Sequence, residues 1–294
     1  MSEERSHELA RRLREGLLIC DGAMGTTLSA QGHSGGASLE LMNAEQPDLV
    51  RAAHQAYLEA GADVLETNTF QGSRAVLERH GLGERTAELN AAGARLAREV
   101  AGDRAFVAGS IGPTGKILEP YGDYDPEVAR AVFDEQAQAL AEGGVEFFIV
   151  ETFTALEEVR PAVRAAAATG LPVAASMAFD PNGRTIFGVT PQQAAEELAA
   201  AGAAVVGANC GTISPQEMVG VLAAFRQATD LPLIAQPNAG RPQRSEGGAI
   251  FPEPPEAMVD AAGGFLRLGA TVIGGCCGTR PEHIKAVAQR LRAA

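Results

Sequence analysis

The stretch PDLVRAAHQAYLEAGADVLETN (47–68) contains one full unit of the pattern that decides the fold. Its first part, 47–61, is rich in alanine and repeats its apolar residues at the period of an amphipathic helix. The part that follows, ADVLETN (62–68), is an apolar run that turns polar only at its end. A helix followed at once by a strand buried on both faces is typical of an α/β protein with a parallel sheet.

The same pattern recurs along the whole chain. A further helical stretch is PQQAAEELAAAG (191–202), and the other strand candidates are LLIC (17–20), FVAGSI (106–111), VEFFIVE (145–151), PVAASMAF (172–179), AVVGANC (204–210), PLIAQ (232–236) and ATVIGG (270–275). Eight such strands in fewer than 300 residues match the size of one (β/α)8 barrel. We therefore predict a single TIM barrel domain over residues 1–294.

A doubly wound open sheet is the alternative fold. That fold usually carries a phosphate-binding turn with three spaced glycines after its first strand. Here the first strand is followed by DGAMGTTL (21–28), which has only two of them, so the barrel is favoured. Three segments have no helix or strand signal and are predicted to be loops or insertions of the barrel: GHSGGAS (32–38), GKILEPYGDYD (115–125) and GRPQRSEGGAIFPEPPE (240–256).

Charge and composition argue against several classes of protein. The net charge of −13 disfavours a nucleic-acid surface and a polybasic membrane patch, which both need clustered lysine and arginine. No run approaches the roughly 20 apolar residues of a membrane span, and the charged N-terminus lacks a signal-peptide core. Four cysteines in 294 residues are too few for a disulfide scaffold, which predicts a reducing, cytoplasmic compartment.

Polar side chains stand where the predicted strands end. In a barrel the catalytic side chains come from the carboxyl ends of the strands, so Asp21, Glu66 and Glu151 are expected to converge on one mouth. Three buried carboxylates in one place indicate a cationic ligand. Asp21 and Glu151 are the better candidates, because each follows directly on an apolar run. The plainer alternative is that each carboxylate accepts hydrogen bonds from backbone N–H groups of a loop or helix start.

Three of the four cysteines also stand at predicted strand ends: Cys210 in GANC (207–210), and Cys276 and Cys277 in GGCCGT (274–279). Adjacent cysteines rarely form a disulfide with each other, because a trans backbone sets their Cβ atoms in poor geometry. The flanking glycines allow the chain to turn there, since glycine reaches dihedrals closed to other residues. We therefore predict that three thiolates share one zinc ion with an open fourth position, as in catalytic sites.

The open position indicates the kind of chemistry. Three thiolates leave a zinc site with a net charge of about −1, which favours a fourth thiolate over the activation of water. The predicted site therefore activates a substrate thiol, and a hydrolase is a poorer fit because hydrolytic zinc sites typically use histidine and carboxylate ligands. Two plainer interpretations remain: a cysteine can be a small buried hydrophobe, as expected for Cys20, and a three-cysteine zinc can be a structural staple.

Seven motifs together resemble the homocysteine S-methyltransferase family. They are DGAMGTTL (21–28), YLEAGADVLETNTF (57–70), GSIGPTG (109–115), ASMAFDPNGRT (175–185), GANCG (207–211), QPNAG (236–240) and GGCCGT (274–279). The resemblance runs from about residue 12 to residue 291, with the motifs in the family's order. Within the family it is most similar to the homocysteine-binding module of cobalamin-dependent methionine synthase.

The resemblance implies a function for each motif. The barrel would bind zinc through Cys210, Cys276 and Cys277 and transfer a methyl group to the sulfur of L-homocysteine, forming methionine. The amino acid end of homocysteine would be held by Asp21, Glu151 and the backbone around Gly22 and Ala23. Glu66 and Thr67 would be second contributors. Asn238 matches a position that can supply an oxygen to zinc when substrate is absent.

The methyl donor follows less directly. The 294 residues hold no folate-binding, cobalamin-binding or activation module, so the favoured donor is methylcobalamin from a separate corrinoid- or folate-binding protein, with the loops 115–125 and 240–256 as its docking rim. Betaine is disfavoured, because its quaternary ammonium needs aromatic walls and the chain has no Trp and three Tyr. S-methylmethionine and S-adenosylmethionine remain alternatives, as does a module that presents homocysteine without catalysis.

Overall fold

Eight parallel strands form one sheet that closes on itself. The computed structural model describes residues 2–30, 38–245 and 248–293. In that part of the chain the eight strands of the sheet are β1 (Leu18–Ile19), β2 (Val64–Glu66), β3 (Phe106–Ile111), β4 (Phe147–Phe153), β5 (Val173–Met177), β6 (Val205–Asn209), β7 (Leu233–Gln236) and β10 (Ala270–Ile273). Two short strands, β8 (Gln243–Ser245) and β9 (Gly248–Ile250), lie outside it. The sheet has the order β1-β10-β7-β6-β5-β4-β3-β2, and a bridge between Cys20 and Val64 joins its two edges. The predicted (β/α)8 barrel is confirmed.

The helices surround this sheet. They are α1 (Glu3–Glu15), α2 (Met24–Ala30), α3 (Met42–Glu45), α4 (Pro47–Ala60), α5 (Arg74–Leu77), α6 (Thr86–Ala101), α7 (Pro126–Gly143), α8 (Leu156–Ala168), α9 (Pro191–Ala201), α10 (Pro215–Ala228), α11 (Pro255–Arg267) and α12 (Pro281–Arg292). The two helical stretches quoted from the sequence, 47–61 and 191–202, are confirmed as α4 and α9. Among the described residues, none of these helices combines the length and the apolar character that crossing a membrane requires.

Local sequence signals set where several helices begin. At α9 the Thr190 side chain and Gln193 form a reciprocal capping box, and Ser214 and Glu217 do the same at α10. In both helices proline occupies the first position, where its missing N–H costs nothing. These starts place the loops between strand end and helix on the same side of the barrel as the predicted site residues.

Two apolar layers hold the barrel together. Alternate strand residues such as Leu18, Val64 and Val272 fill the barrel interior, where Cys20 is fully buried as expected of a small hydrophobe. Their neighbours, such as Ile19, pack outward against the helices. The helix α1 closes the amino-terminal end, because its Leu9 and Leu13 join the interior cluster. The opposite, carboxyl end is left for the site.

The predictions and the structure differ in two segments. The segment 240–256 was predicted without strands, yet β8 and β9 pair antiparallel there, with Gln243 opposite Ile250. Their exposed residues lack the apolar alternation by which a strand is recognised, so the sequence carries no signal for this hairpin. The strand β4 runs on to Phe153, two residues beyond its predicted end. The loop 115–125 holds only an isolated bridge between Leu118 and Tyr124, and residues 32–37 of the third predicted loop lie outside the described residues.

Candidate active site

A cavity of about 330 Å³ opens at the carboxyl ends of the barrel strands. Its size lies within the usual range of small-ligand pockets. Eight of the predicted site residues line it: Gly22, Ala23, Glu66, Thr67, Glu151, Cys210, Cys276 and Cys277. The other two, Asp21 and Asn238, are buried beside these residues at the ends of β1 and β7. The structure therefore brings the predicted thiols and carboxylates to one place.

The three thiols form a compact cluster. The Sγ atoms of Cys210, Cys276 and Cys277 lie within 4.8 Å of one another, and those of Cys210 and Cys277 are 3.7 Å apart. A tetrahedral zinc site with Zn–S bonds of about 2.3 Å has S–S edges of roughly 3.8 Å. The Cys210–Cys277 distance therefore matches one edge of a tetrahedral site, and all three thiols are close enough to share one ion. All three cysteines are partly exposed to the cavity, so a fourth ligand can approach from there.

The backbone turns sharply to place these thiols. Cys210 has a φ of 52° and Gly211 a φ of 74°, so β6 ends in two left-handed residues. For a cysteine this conformation is strained, and such strain is typical of functional positions. At the second motif, a Cβ on Gly274 would lie 2.5 Å from Cβ of Cys20, and one on Gly275 would lie 2.5 Å from Oγ1 of Thr279. The glycines before the cysteine pair are thus required for space, whereas the turn itself falls at Gly278, with a φ of 78°.

Hydrogen bonding makes the thiols unequal. Hydrogen bonds with Cys210 and Cys276 lower the pKa of Cys277 to about 4. Hydrogen bonds with Cys210 and Cys277 raise the pKa of Cys276 well above its ordinary value. In the absence of a metal, one thiolate is therefore stabilised by two neighbouring thiols. A bound cation would release the remaining protons, which is the usual linkage between metal binding and thiol ionisation.

The carboxylates form a second cluster: Glu66 and Glu151 line the same cavity, and Asp21 is buried beside them. The backbone N–H of Glu66 donates to Oδ2 of Asp21 at 3.0 Å, whereas Oδ1 of Asp21 is buried without a partner among the described residues. Gln236 donates to Glu66, and Ser110 Oγ donates to Oε1 of Glu151 at 2.6 Å. Asp21 therefore does cap a backbone N–H, as the plainer interpretation held, but one of its oxygens remains available.

Burial makes this cluster receptive to a cation. It is the largest cause that raises the pKa of Asp21, Glu66 and Glu151, in the case of Glu151 to about 7. The charge of Glu151 raises the pKa values of Asp21 and Glu66 further. A positively charged group placed among the three would favour their ionised forms. The arrangement can therefore bind an ammonium group beside a cluster of thiols.

Several predicted residues are already engaged in the structure. The Thr67 hydroxyl accepts from the Ser110 N–H at 3.0 Å, which ties the end of β2 to β3. The Ala23 N–H donates to Oγ1 of Thr279 at 3.1 Å, which ties the loop after β1 to the cysteine motif. Asn238 donates from Nδ2 to the carbonyl of Gly211 at 2.9 Å, and its buried Oδ1 has no partner in the described ranges. These contacts hold the loops and strand ends around the site in place. The roles predicted for Thr67, Ala23 and Asn238 stay predictions.

Sequence reasoning assigned no role to three residues of this site. Ser110 lies inside the apolar run of β3, where a single serine carries no signal. Glu40 reaches the cavity from a short helical turn, where it accepts from Ser38 Oγ at 2.6 Å and from the Gln71 N–H at 2.9 Å. Asn209 falls within the motif GANC (207–210), where attention goes to the cysteine, yet its side chain contacts both clusters. A hydrogen-bond partner distant in sequence was the missing information in each case.

Comparison with known proteins decides the family. The sequence model of the homocysteine S-methyltransferase family matches residues 18–291, nearly the whole chain. This chain belongs to the homocysteine S-methyltransferase family. The predicted family is therefore confirmed.

This chain is similar to some members of the homocysteine S-methyltransferase family in sequence and to another in structure. The methionine synthase of Mycobacterium tuberculosis is 33% identical over 297 residues, which cover 94% of this chain and 25% of that protein. The methionine synthase of Mycobacterium leprae is 32% identical, with 96% and 25% covered. The chain thus spans about a quarter of the length of these relatives. The structure of the homocysteine methyltransferase MmuM from Escherichia coli, in its oxidised form, superposes with a TM-score of 0.80 at 25% identity, covering 96% of this chain and 99% of that one.

Proposed function

We propose that this chain, acting as one barrel domain, binds one zinc ion through Cys210, Cys276 and Cys277 and methylates the sulfur of L-homocysteine. The observation that carries the proposal is a compact thiol cluster that shares a cavity with the carboxylates of Glu66 and Glu151, beside the buried Asp21. When bound, zinc would supply a Lewis acid that keeps a substrate thiol deprotonated near neutral pH. Asn238, whose Oδ1 is buried and unpaired within the described residues, would supply an oxygen ligand when substrate is absent.

The two clusters suit the two ends of homocysteine. The Oδ1 of Asp21, unpaired in the described part of the chain, and the carboxylate of Glu151 would receive the ammonium group. Glu66 and Thr67 would be further contributors, with the backbone at Gly22 and Ala23 beside them. The sulfur would then point to the thiol cluster in the same cavity. Holding both ends orients the sulfur toward the open mouth, from which a methyl donor must approach in line.

The favoured donor is methylcobalamin carried by a separate corrinoid- or folate-binding protein. The greater identity to methionine synthases than to MmuM supports this choice. A second support is the set of apolar side chains exposed on the loops after β3 and β5, called the apolar patch below: Ile117, Tyr121, Ile186 and Phe187. Tyr121 and Phe187 are 65% and 40% exposed, and their ring centroids are 6.0 Å apart. Such patches commonly mark surfaces that contact another protein. Half of this patch lies in the predicted docking loop 115–125.

A small sulfonium donor, S-methylmethionine or S-adenosylmethionine, is the second candidate. It is favoured by one observation: this chain covers 99% of MmuM, so a homocysteine methyltransferase can consist of a barrel of this length.

All four cysteines are free, which fits the proposed reducing, cytoplasmic compartment.

Parallel donor assays test the proposal. Purified zinc-loaded protein is given homocysteine with methylcobalamin, with methylcobalamin on a cobalamin-binding protein, with S-methylmethionine or with S-adenosylmethionine, and methionine is measured. We expect slow turnover with free methylcobalamin and faster turnover with the carrier protein, because the carrier supplies orientation. Rapid, saturable turnover with a sulfonium donor, and none with methylcobalamin, would establish the second candidate. Homocysteine binding without turnover from any donor would show that the chain presents homocysteine without catalysis. A bound zinc that no added thiol can reach would show that the zinc has only a structural role.

A surface variant sharpens the same assay. Phe187→Ser should lower the rate obtained with the carrier protein and leave the slow rate with free methylcobalamin unchanged. Leu266→Ser is the matched control, because Leu266 is also exposed but lies at the end of α11 that points away from the cavity. It should change neither rate. Equal effects of the two variants would remove the patch from the proposal.

A further inference from the structure

Asn209 is fully buried and joins the two clusters of the site. It is the last residue of β6 and directly precedes Cys210, whose N–H donates to the carbonyl of Gln236 at 3.0 Å. Its pairing with Gln236 therefore holds its backbone against β7. Its side chain points to the same end of the barrel as the cavity, because it contacts Glu151 and Cys276, which both line that cavity.

The orientation of the Asn209 amide is determined by its donors. The Thr152 N–H donates to Oδ1 at 2.8 Å, and Ser176 Oγ donates to Oδ1 at 2.8 Å. A backbone N–H cannot accept a hydrogen bond, so the amide atom that faces Thr152 N must be the oxygen. The nitrogen consequently faces the other way, toward the site.

The Nδ2 group of Asn209 faces three acceptors of the site. It donates to Oγ1 of Thr152 at 2.6 Å, to Oε2 of Glu151 at 3.2 Å and to Sγ of Cys276 at 3.8 Å. Its two hydrogens are shared among a hydroxyl, a carboxylate and a thiol. One amide is therefore in contact with a predicted metal ligand and with a predicted substrate carboxylate at the same time.

The amide also supports the irregular end of β4. Thr152 has a φ of 67°, and the pairing of β4 with β5 shifts register between Val150 and Phe153. The Thr152 N–H is thereby directed to Asn209 Oδ1. A left-handed threonine persists only where surrounding contacts hold it. Because Glu151 is the adjacent residue, the same contact sets where its carboxylate lies.

We propose that Asn209 is a positioning residue that holds Cys276 and Glu151 in one fixed relation, so that the sulfur and ammonium ends of homocysteine are aligned together. This inference rests on the proposed function of the site. The donated N–H orients the Cys276 sulfur and stabilises its thiolate, as groups that contact metal ligands commonly do. The bond to Oε2 orients Glu151 toward the ammonium group. Loss of the Asn209 donor should therefore weaken metal binding and substrate binding together.

The test is Asn209→Asp, which keeps the shape and the acceptor oxygen but replaces the donor with a second oxygen. Zinc affinity is measured by competition with a chelator, and homocysteine affinity by calorimetry on the zinc-loaded protein. We expect each affinity to fall about ten- to a hundredfold. The thiolate-to-metal absorption band of the cobalt-substituted protein should also shift, because the hydrogen bond to the Cys276 sulfur is lost.

Ser176→Ala is the matched control. It removes a hydrogen bond from the same amide, but on the acceptor side, away from Cys276 and Glu151. We expect both affinities to stay within about twofold of the wild type. The double variant with Glu151→Gln adds a second check, since the effect of Asn209→Asp on homocysteine affinity should shrink when Glu151 is already changed.

Three results would overturn the inference. The first is an Asn209→Asp protein with wild-type affinity for zinc and for homocysteine. The second is a Ser176→Ala protein that shows the same losses, which would make the amide a packing element. If Asn209→Asp does not fold, Asn209→Ala takes its place in both comparisons. The third is a wild-type chain that binds neither zinc nor homocysteine, which would refute the proposed function as well, whereas the first two results leave that function intact.

Discussion

Replacing Asp21 by asparagine should weaken homocysteine binding without destabilising the protein. Asp21 is 1% exposed, and its Oδ2 accepts from the Glu66 N–H at 3.0 Å. An asparagine oxygen can accept the same hydrogen bond, so the local backbone contact is preserved. What the substitution removes is the negative charge on the side chain, whose Oδ1 has no partner within the described chain.

The expected size follows from the bond that is lost. A charge-assisted hydrogen bond between a carboxylate and an ammonium group contributes about 1.5–3 kcal/mol, which corresponds to a ten- to hundredfold change in affinity. The effect on stability has the opposite sign. Burial, and then the charge of Glu151, raise the pKa of Asp21, so its ionised form destabilises the folded protein. The unfolding midpoint of the protein without homocysteine should therefore stay the same or rise.

Calorimetric titration with homocysteine and thermal unfolding without it measure the two effects. Asp63→Asn is the control at the opposite end of the barrel, where Asp63 accepts from the Ile19 N–H at 3.0 Å and pairs with Arg292 at 3.0 Å. It should lower stability by about 1 kcal/mol and leave homocysteine affinity unchanged. Wild-type affinity in Asp21→Asn would show that Asp21 does not hold the ammonium group. A loss of stability in that variant would instead assign Asp21 a structural role.

Two further predictions concern the other residues of the site. Cys210→Ser should remove most of the bound zinc and nearly all activity while the far-UV circular dichroism stays unchanged, because the fold depends on its buried layers; full metal content and turnover would exclude Cys210 as a ligand. Because burial raises the pKa of Glu151 from 4.5 to about 7, the zinc-free folded protein retains a proton there that the unfolded chain releases, so its stability should fall as the pH rises through that window. Glu151→Gln should flatten this part of the stability profile in urea unfolding, and an unchanged profile would show that Glu151 is ionised throughout.

Much of the fold could be predicted because its signals are local. Each barrel strand begins and ends within two residues of its prediction, since an apolar run that ends in a polar residue is visible in a short window. The helices α4 and α9 were predicted from the period of their apolar residues. The family motifs were recognised for the same reason. The hairpin of β8 and β9 was missed, because β8 is exposed and neither strand carries an apolar alternation.

In the candidate site too, local features could be predicted from the sequence and long-range contacts could not. The sequence by itself determined which residues carry its chemistry: the cysteines of the two motifs and the acids that follow apolar runs. Only the tertiary structure decided how they meet. The 3.7 Å distance between Cys210 and Cys277 depends on β6 and β10 both bordering β7. The contacts of Asn209 with Glu151 and Cys276 join residues more than 50 positions apart. A barrel closes through pairings between strands that are distant in sequence, and no local pattern encodes which side chains those pairings bring into hydrogen-bond distance.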